Sequence, residues 1–147
     1  MGLFDSFAIS ASGMSAERLR LDIIANNLAN IDTAGKPGDP KLAPYRRQVP
    51  LFARQLKKAV DSRNNVSLFS GAGVRVAGIV QDPAPPRMVY DPSHPYADDK
   101  GYVAYPNINV LNEMVDMITA ARAYEANVTA LNAAKGMALK ALEIGRG

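Results

Sequence analysis

The chain has 147 residues, nearly half of them apolar, which is enough for one domain with a buried core. Its 17 basic and 14 acidic residues leave a formal charge of only +3, which by itself does not indicate a nucleic-acid or membrane partner. The absence of cysteine excludes disulfides and thiolate chemistry, and a single histidine, His94, gives no basis for a paired-histidine site.

The beginning of the sequence lacks the basic region of a secretory signal peptide. No stretch reaches the roughly 18–20 uninterrupted apolar residues of a membrane-spanning helix. We therefore expect no direct membrane insertion, and we expect any export of the chain to occur without a cleaved signal peptide.

Residues 3–31 are predicted to form one amphipathic helix. Apolar residues recur every seven positions and at the alternate positions between them, a period of about 3.5 that is typical of a coiled-coil contact. Asn, Asp and Gly at residues 30–35 predict the end of the helix. The seam consists of Phe7, Met14, Leu21 and Leu28, with Ala11, Ile24, Ala25 and Ile31 at the alternate positions.

The middle of the chain is rich in turn-forming residues and contains short β segments. Gly and Pro predict a surface loop at 32–44, and the β-branched alternation of 73–80 predicts a strand. A second, short strand is predicted at 87–90, after a proline cluster that cannot lie in a central strand. Residues 45–52 are predicted to be extended, and 53–63 to be a short, basic, weakly helical stretch.

Residues 109–143 form the most regular predicted element, a helix of about 50 Å. Alanines lie on several of its faces, and Leu111, Ile118 and Leu139 form a second apolar row beside the main seam. We therefore expect more than one packing partner for this helix. The main seam consists of Val110, Met117, Tyr124, Leu131 and Ala138, with Met114, Ala121, Val128 and Leu142 at the offset positions.

These elements predict a mainly α fold. A helix with a single apolar seam is marginal alone, so two such helices at opposite ends of a chain are expected to pair as a coiled-coil-like hairpin. Residues 1–34 and 105–147 would then form one discontinuous helical domain. Residues 35–104 would form a loop and a small β-hairpin or irregular insert.

No catalytic or ligand-binding motif emerges from the sequence. The glycines of 70–73 are not followed by the Lys-Ser/Thr pair of a phosphate loop, and the spacing of Asp98 and Asp99 fits no EF-hand. The basic residues between Lys36 and Arg63 lack an accompanying nucleic-acid recognition motif. We predict a non-enzyme with no cofactor, no metal and no nucleic-acid partner.

Both ends of the sequence resemble the rod and hook proteins of bacterial flagella. The N-terminal resemblance lies in 10–14 (SASGM) and 21–33 (LDIIANNLANIDT). The C-terminal resemblance is more specific: residues 101–145 are similar to the short subunits of the proximal rod. Segments 45–47 (YRR) and 89–92 (VYDP) fit the same group, whereas about 53–72 carries no matching motif.

The resemblance implies a structural subunit of the flagellar basal-body rod, exported through the flagellar type III apparatus. Such a subunit assembles with its own copies and with other rod proteins into a torque-transmitting shaft that encloses the export channel. The terminal helices would line the inner tube, and the insert would lie outside. The alternatives are a coiled-coil adaptor or secreted helical-hairpin protein, and a small nucleic-acid-binding module.

Weak terminal helices suit a subunit that becomes ordered only when its neighbours supply the missing surface. We expect a leucine-to-aspartate change at position 28 or 131 to abolish assembly. Candidates for polar contacts between subunits are Asn26, Asn27 and Asn30. The predicted assembly and packing residues are Phe7, Met14, Leu21, Ile24, Leu28, Ile31, Val110, Met114, Met117, Tyr124, Val128, Leu131 and Leu142.

Overall fold

A computed structural model of the protein describes residues 3–61 and 66–145. Two long helices stand at its ends, with four strands and one short 3-10 turn between them. The elements in order are helix α1 (Leu3–Ala29), the 3-10 turn Pro40–Leu42, strands β1 (Gln48–Asp61), β2 (Val66–Gln81), β3 (Arg87–Tyr90) and β4 (Tyr102–Tyr105), and helix α2 (Val110–Gly145).

The predicted fold class, mainly α with a small insert, is wrong. Among the described residues, the four strands contain 38 residues against 63 in the two α-helices, and they form two antiparallel sheets. The stretch predicted as weakly helical continues β1 as far as Asp61, and β2 already begins at Val66. The last two residues of that predicted stretch, 62 and 63, lie outside the described residues.

The sequence revealed this two-stranded ribbon only in part, at 73–80 within β2, because the exposed apolar residues of the ribbon do not alternate cleanly along its whole length. Leu51, Phe52 and Leu56 are exposed on β1, as are Ile79 and Val80 on β2. Apolar and polar residues alternate along a strand only where one face of the sheet is buried and the other is solvated. The alternation of apolar and polar residues is therefore a weak signal for a ribbon with apolar side chains exposed along both strands.

Both predicted terminal helices are confirmed, as are the predicted strands at 73–80, within β2, and at 87–90. α1 ends at Ala29, where the backbone turns and the Thr33 amide bonds the Asn30 carbonyl at 3.2 Å. α2 begins after Asn109, whose side-chain oxygen accepts hydrogen bonds from the amides of Leu111 at 3.0 Å and Asn112 at 3.3 Å. Such a cap satisfies amides that have no partner within the helix.

The chain divides into two compact units. The first unit contains the described parts of 1–19, 51–78 and 119–147, and the second unit contains 20–50 and 79–118. In the second unit β3 and β4 pair antiparallel, with Tyr90 opposite Tyr102. Gly35, in the turn after α1, forms a two-way bridge with Ala104 of β4, at 2.8 and 3.0 Å. The apolar side chains buried in this unit are Ile23, Ile24, Val103 and Ala104.

Over 5–19 and 119–145, the helix segments of the first unit bury only small apolar side chains, namely Ala16, Ala120 and Ala134. The two helices come close at Gly13, where an added Cβ would stand 2.8 Å from the Asn127 Oδ1 atom. Two helices can approach this closely only where one of them lacks a side chain. Packing in this unit therefore relies on small residues.

The ribbon contacts α1 within the first unit through Ser12. The Ser12 hydroxyl donates to the Ile9 carbonyl at 2.7 Å and accepts from the Val74 amide at 3.1 Å. Gly73, the neighbour of Val74, has φ +103°, and an added Cβ would clash with the Ser12 hydroxyl. Glycine is therefore required at position 73 by both backbone conformation and space.

We expect Gly73→Ala to lower the free energy of unfolding by about 1–3 kcal/mol, because alanine is strained at positive φ and displaces Ser12. Amide hydrogen exchange at Val74 should accelerate in this variant, and urea unfolding measures the stability. Gly78→Ala is the matched control, since it lies in the same strand with open space around its added Cβ. Equal stability and equal Val74 exchange in the two variants would contradict this account of the ribbon contact.

Candidate functional site

A buried asparagine joins three segments of the second unit. Asn27 is 1% exposed, and its amide uses both donor and both acceptor positions. The nitrogen donates to the Gln48 carbonyl at 2.9 Å and to the Glu113 carboxylate at 3.0 Å. The oxygen accepts from the Tyr45 hydroxyl and the Gln48 amide, both at 2.9 Å. The Asn27 side chain therefore occupies both the N–H and the C=O of the first residue of β1.

Glu113 is the acidic partner of this asparagine and is completely buried. Its other oxygen accepts a hydrogen bond of 2.7 Å from the Arg47 Nε atom. A carboxylate buried without a partner is costly, whereas this one has both a cation and an amide donor. Glu113 thus fixes the first turn of α2 to Asn27 near the end of α1 and to Arg47 just before β1.

Arg47 extends the cluster towards the end of β2 and along α2. Its guanidinium lies 3.5 Å from Asp116 and 3.8 Å from Asp82, and its carbonyl accepts from the Asp82 amide at 2.8 Å. Asp116 also receives a hydrogen bond of 3.1 Å from Arg20 on α1. We call the seven residues Arg20, Asn27, Tyr45, Arg47, Asp82, Glu113 and Asp116 the polar cluster.

The polar cluster also changes the acidity of Tyr45. Burial raises the pKa of the Tyr45 hydroxyl above its usual 10.0, and the negative charge of Glu113 raises it further. The hydroxyl is therefore held in its neutral form, in which it can donate to Asn27.

The outer surface of α2 is strongly apolar at both ends. Leu111, Met114, Val115 and Ile118, which we call the N-terminal patch, are 73%, 50%, 63% and 60% exposed. Their spacing of three and four places them on one face of the helix. Met137, Leu139, Leu142 and Ile144, which we call the C-terminal patch, are 63%, 52%, 65% and 82% exposed. Large apolar side chains exposed together in this way indicate a binding surface for another protein.

The residues predicted for assembly and packing fall into three groups. Ile24 is buried, and Val110, Met114 and Leu142 are exposed. The others are half-buried and so are available for both intrachain and intersubunit contacts. They are Phe7, Met14, Leu21, Leu28, Ile31, Met117, Tyr124, Val128 and Leu131.

The three predicted asparagines differ in their surroundings. Asn26 is exposed, and Asn30 is half-buried and donates to the Asn26 carbonyl and side chain at 2.9 and 3.0 Å. Asn27 is bonded within its own chain in all four directions. The intersubunit role of these residues stays a prediction.

The sequence reasoning missed Glu113, Arg47 and the other charged members of the cluster. It counted Arg47 among the basic residues between Lys36 and Arg63, and it named no charged residue of α2 as a packing residue. One signal could have found Glu113. Residues Glu113, Ala120, Asn127 and Ala134 repeat strictly by seven, and three of them are buried while Asn127 is half-buried. A heptad row of small and polar residues thus lies beside the predicted apolar row.

Within 3–61 and 66–145, no group of three or more His, Cys, Asp or Glu side chains is arranged to bind a metal ion. Neither α1 nor α2 has a stretch of sufficient length and hydropathy to cross a bilayer, as far as their described residues extend.

Comparison with known proteins places both ends of the chain among flagellar proteins. Residues 7–35 match the family described as flagella basal body rod protein, and residues 99–144 match the one described as flagellar basal body rod FlgEFG protein C-terminal. The chain is 44% identical to flagellar basal-body rod protein FlgC of Borreliella burgdorferi over 100% of both chains. It is 43% identical to FlgC of Bacillus subtilis and 40% identical to FlgC of Yersinia enterocolitica, over 99% of this chain and 100% of each relative.

We expect Asn27→Ala to destabilise the chain by on the order of 3 kcal/mol, because it leaves the Tyr45 hydroxyl, the Gln48 backbone and Glu113 without a shared partner. Urea unfolding followed by circular dichroism measures the change. Asn26→Ala, at the adjacent exposed position, should cost less than about 1 kcal/mol. Similar losses in the two variants would show that the cluster does not hold the second unit together.

We expect Tyr45→Phe to lower stability by about 1 kcal/mol at pH 7, through loss of the hydrogen bond to Asn27. Because the pKa is raised in the folded chain, the stabilising effect of the hydroxyl is fully present below pH 10.0 and declines as the pH rises through the raised value. The gap between wild type and variant should therefore narrow above pH 10.0. Unfolding from pH 7 to 11, with the exposed Tyr90→Phe as control, tests this. A constant gap over that range would refute it.

Proposed function

This chain belongs to the family of flagellar basal-body rod proteins named FlgC and is a structural subunit of that rod, and we propose that neighbouring rod subunits bind to the exposed surface of its helix α2. In this proposal the subunit binds its own copies and other rod proteins in the proximal rod. The assembled subunits transmit torque and enclose the export channel. No step of this role requires a catalytic residue.

The observation that carries the proposal is the exposed apolar face at the start of α2. Leu111, Val115 and Ile118 are each more than half exposed on the single chain. Their neighbours on the buried side of the helix, Glu113 and Ala120, are fully covered within the chain. The first turns of α2 thus have one face covered within the chain and one apolar face that is more than half exposed. In a polymer of like subunits, a neighbouring subunit covers that exposed face.

The make-up of the first unit supports the proposal that the chain is exported unfolded through the flagellar type III apparatus. Over 5–19 and 119–145, its helix segments bury alanines but no large apolar side chain. Burial of a methyl group contributes far less than burial of a leucine, so these helix segments gain little stability from the single chain. Such segments unfold easily for passage and become ordered when neighbours add contact area. We propose the terminal helical region, 1–34 and 105–147, as the part that polymerises.

We expect Leu111→Asp to abolish motility in a strain that lacks its own copy of this protein, because a charge on the N-terminal patch cannot be buried against a neighbour. The stability of the isolated chain should change by no more than about 0.5 kcal/mol, since position 111 is exposed. Swimming assays, purified basal bodies and urea unfolding measure these effects.

Asn112→Asp is the matched control for this substitution. It places the same charge one residue away, on an exposed polar position in the same first turn of α2. We expect it to assemble and to swim. Normal incorporation of Leu111→Asp subunits into basal bodies would show that the N-terminal patch is not an assembly surface.

A further inference from the structure

The hairpin formed by β3 and β4 ends in a turn, residues 91–101, that is ordered by its own hydrogen bonds. The Asp91 side chain accepts from the Ser93 amide at 3.1 Å and from the Ser93 hydroxyl at 2.6 Å. The Asp98 side chain accepts from the Tyr102 amide at 2.8 Å. A turn that is already ordered loses little conformational freedom when it binds a partner. We call this segment the acidic turn.

The acidic turn exposes aromatic rings and negative charge. Tyr90 and Tyr102 flank it with their ring centroids 5.4 Å apart and are 64% and 40% exposed, and Tyr96 within it is 39% exposed. Exposed tyrosines are typical of binding surfaces, where they often contribute most of the affinity. Within 3–61 and 66–145, none of the three acids of the turn forms an ion pair with a lysine or arginine. These acids are Asp91, Asp98 and Asp99, against the single base Lys100.

A second surface lies at the opposite end of the same hairpin. The two strands pair over four residues, and Tyr90 opposite Tyr102 is the pair next to the acidic turn. Past the other end of the pairing, Pro86, Asn107 and most of residues 36–48 line a cavity of about 640 Å³, which we call the proline cavity. The paired residues separate the acidic turn from the proline cavity by about 10 Å along the strands.

The proline cavity combines proline rings with positive charge. Lys36 and Arg46 line it and are exposed, and Lys41 is a third exposed cation on the same loop. No ion pair engages these three cations within the described part of the chain. The one acid of the loop, Asp39, accepts a hydrogen bond of 2.9 Å from the Lys41 amide. The prolines of the lining are Pro37, Pro40, Pro44 and Pro86.

The two surfaces are complementary in charge and in the kind of side chain that they present. Proline rings pack on aromatic side chains, as they do where aromatic-lined grooves bind proline-rich segments. The acids of the turn are opposite in sign to the cations of the cavity. Because the two surfaces lie at opposite ends of one short hairpin, they cannot meet within one chain. Contact between two different surfaces of like subunits produces an open series, whereas a surface that binds itself produces a closed dimer.

We propose that the acidic turn of one subunit binds the proline cavity of a second copy of this chain. The tyrosine rings of the turn pack on the prolines, and Asp98 and Asp99 approach the cations of the loop. This contact is separate from the exposed surface of α2. It rests on the proposed function in one respect, because copies of the chain must be neighbours in the rod.

Disulfide crosslinking tests the contact cleanly, because the chain contains no cysteine of its own. Ser93→Cys places a thiol on the acidic turn, and Ala43→Cys places one at the proline cavity. Both positions are exposed, and both substitutions keep every tyrosine, proline and charge. Cells that lack the resident protein receive one single variant, both single variants together, or one chain with both cysteines. Basal bodies are purified, oxidised with copper phenanthroline and resolved on non-reducing gels.

The contact predicts a crosslinked dimer when the two single variants share a cell, and a ladder of oligomers when one chain carries both cysteines. Each single variant alone should give only background. The matched control combines Ser93→Cys with Asn132→Cys, an exposed position in the middle of α2, and should give no ladder. A dimer from Ser93→Cys alone would show that the turn binds itself and would overturn the contact. Absence of the mixed dimer, with both variants present in the basal bodies, would also overturn it.

Charge reversal gives a second readout in the same mixed cells. Asp99→Lys on the Ser93→Cys chain should lower the yield of dimer about two- to fivefold, since an exposed ion pair contributes up to about 1 kcal/mol. Lys41→Glu on the Ala43→Cys chain should then restore part of that yield. A yield that is the same in all combinations would contradict the contact. If wild-type subunits themselves were absent from basal bodies, the proposed function would fail instead.

Discussion

The structure of the second unit depends on the buried contact between Asn27 and Glu113. The asparagine amide has four partners, and the glutamate is shared between this amide and Arg47. Each partner leaves a polar group uncompensated if it is removed, so the contacts are retained or lost together. Replacement by apolar residues could give equal stability, but it would not hold Gln48, Tyr45 and Arg47 in place. The contact therefore positions segments more than it adds stability.

This positioning separates two tasks within one chain. The second unit satisfies its polar groups internally and holds the start of β1, the end of β2 and the first turn of α2 in fixed relation. The first unit buries alanines and leaves large apolar side chains exposed at the end of α2. The polar groups of the second unit are thus satisfied within the chain, whereas the exposed apolar side chains at both ends of α2 are the surfaces that we propose neighbours cover.

The sequence predicted the helices, but only part of the fold and site. Periodic apolar residues such as Met14, Leu21 and Leu28 mark a helix whatever its partner is, so α1 and α2 were found. Of the ribbon, the sequence predicted the strand at 73–80 and the extended start of β1. The rest was missed because Leu51, Phe52 and Leu56 are exposed and follow no alternation. Glu113 was missed because a charged residue on a helix is usually solvated. Only its contact with Asn27 and Arg47, residues distant in sequence, makes burial favourable, and one sequence does not reveal such a long-range pairing.

Amide hydrogen exchange on the isolated chain at high dilution, and on the same chain in purified basal bodies, tests the account most directly. The account predicts slow exchange for residues 23–29 and for the Gln48 amide in both samples. It predicts that residues 137–144 exchange rapidly in the isolated chain and slowly in the rod. Equally slow exchange of 137–144 in the isolated chain would contradict it, because the end of α2 would then be stable without any neighbour.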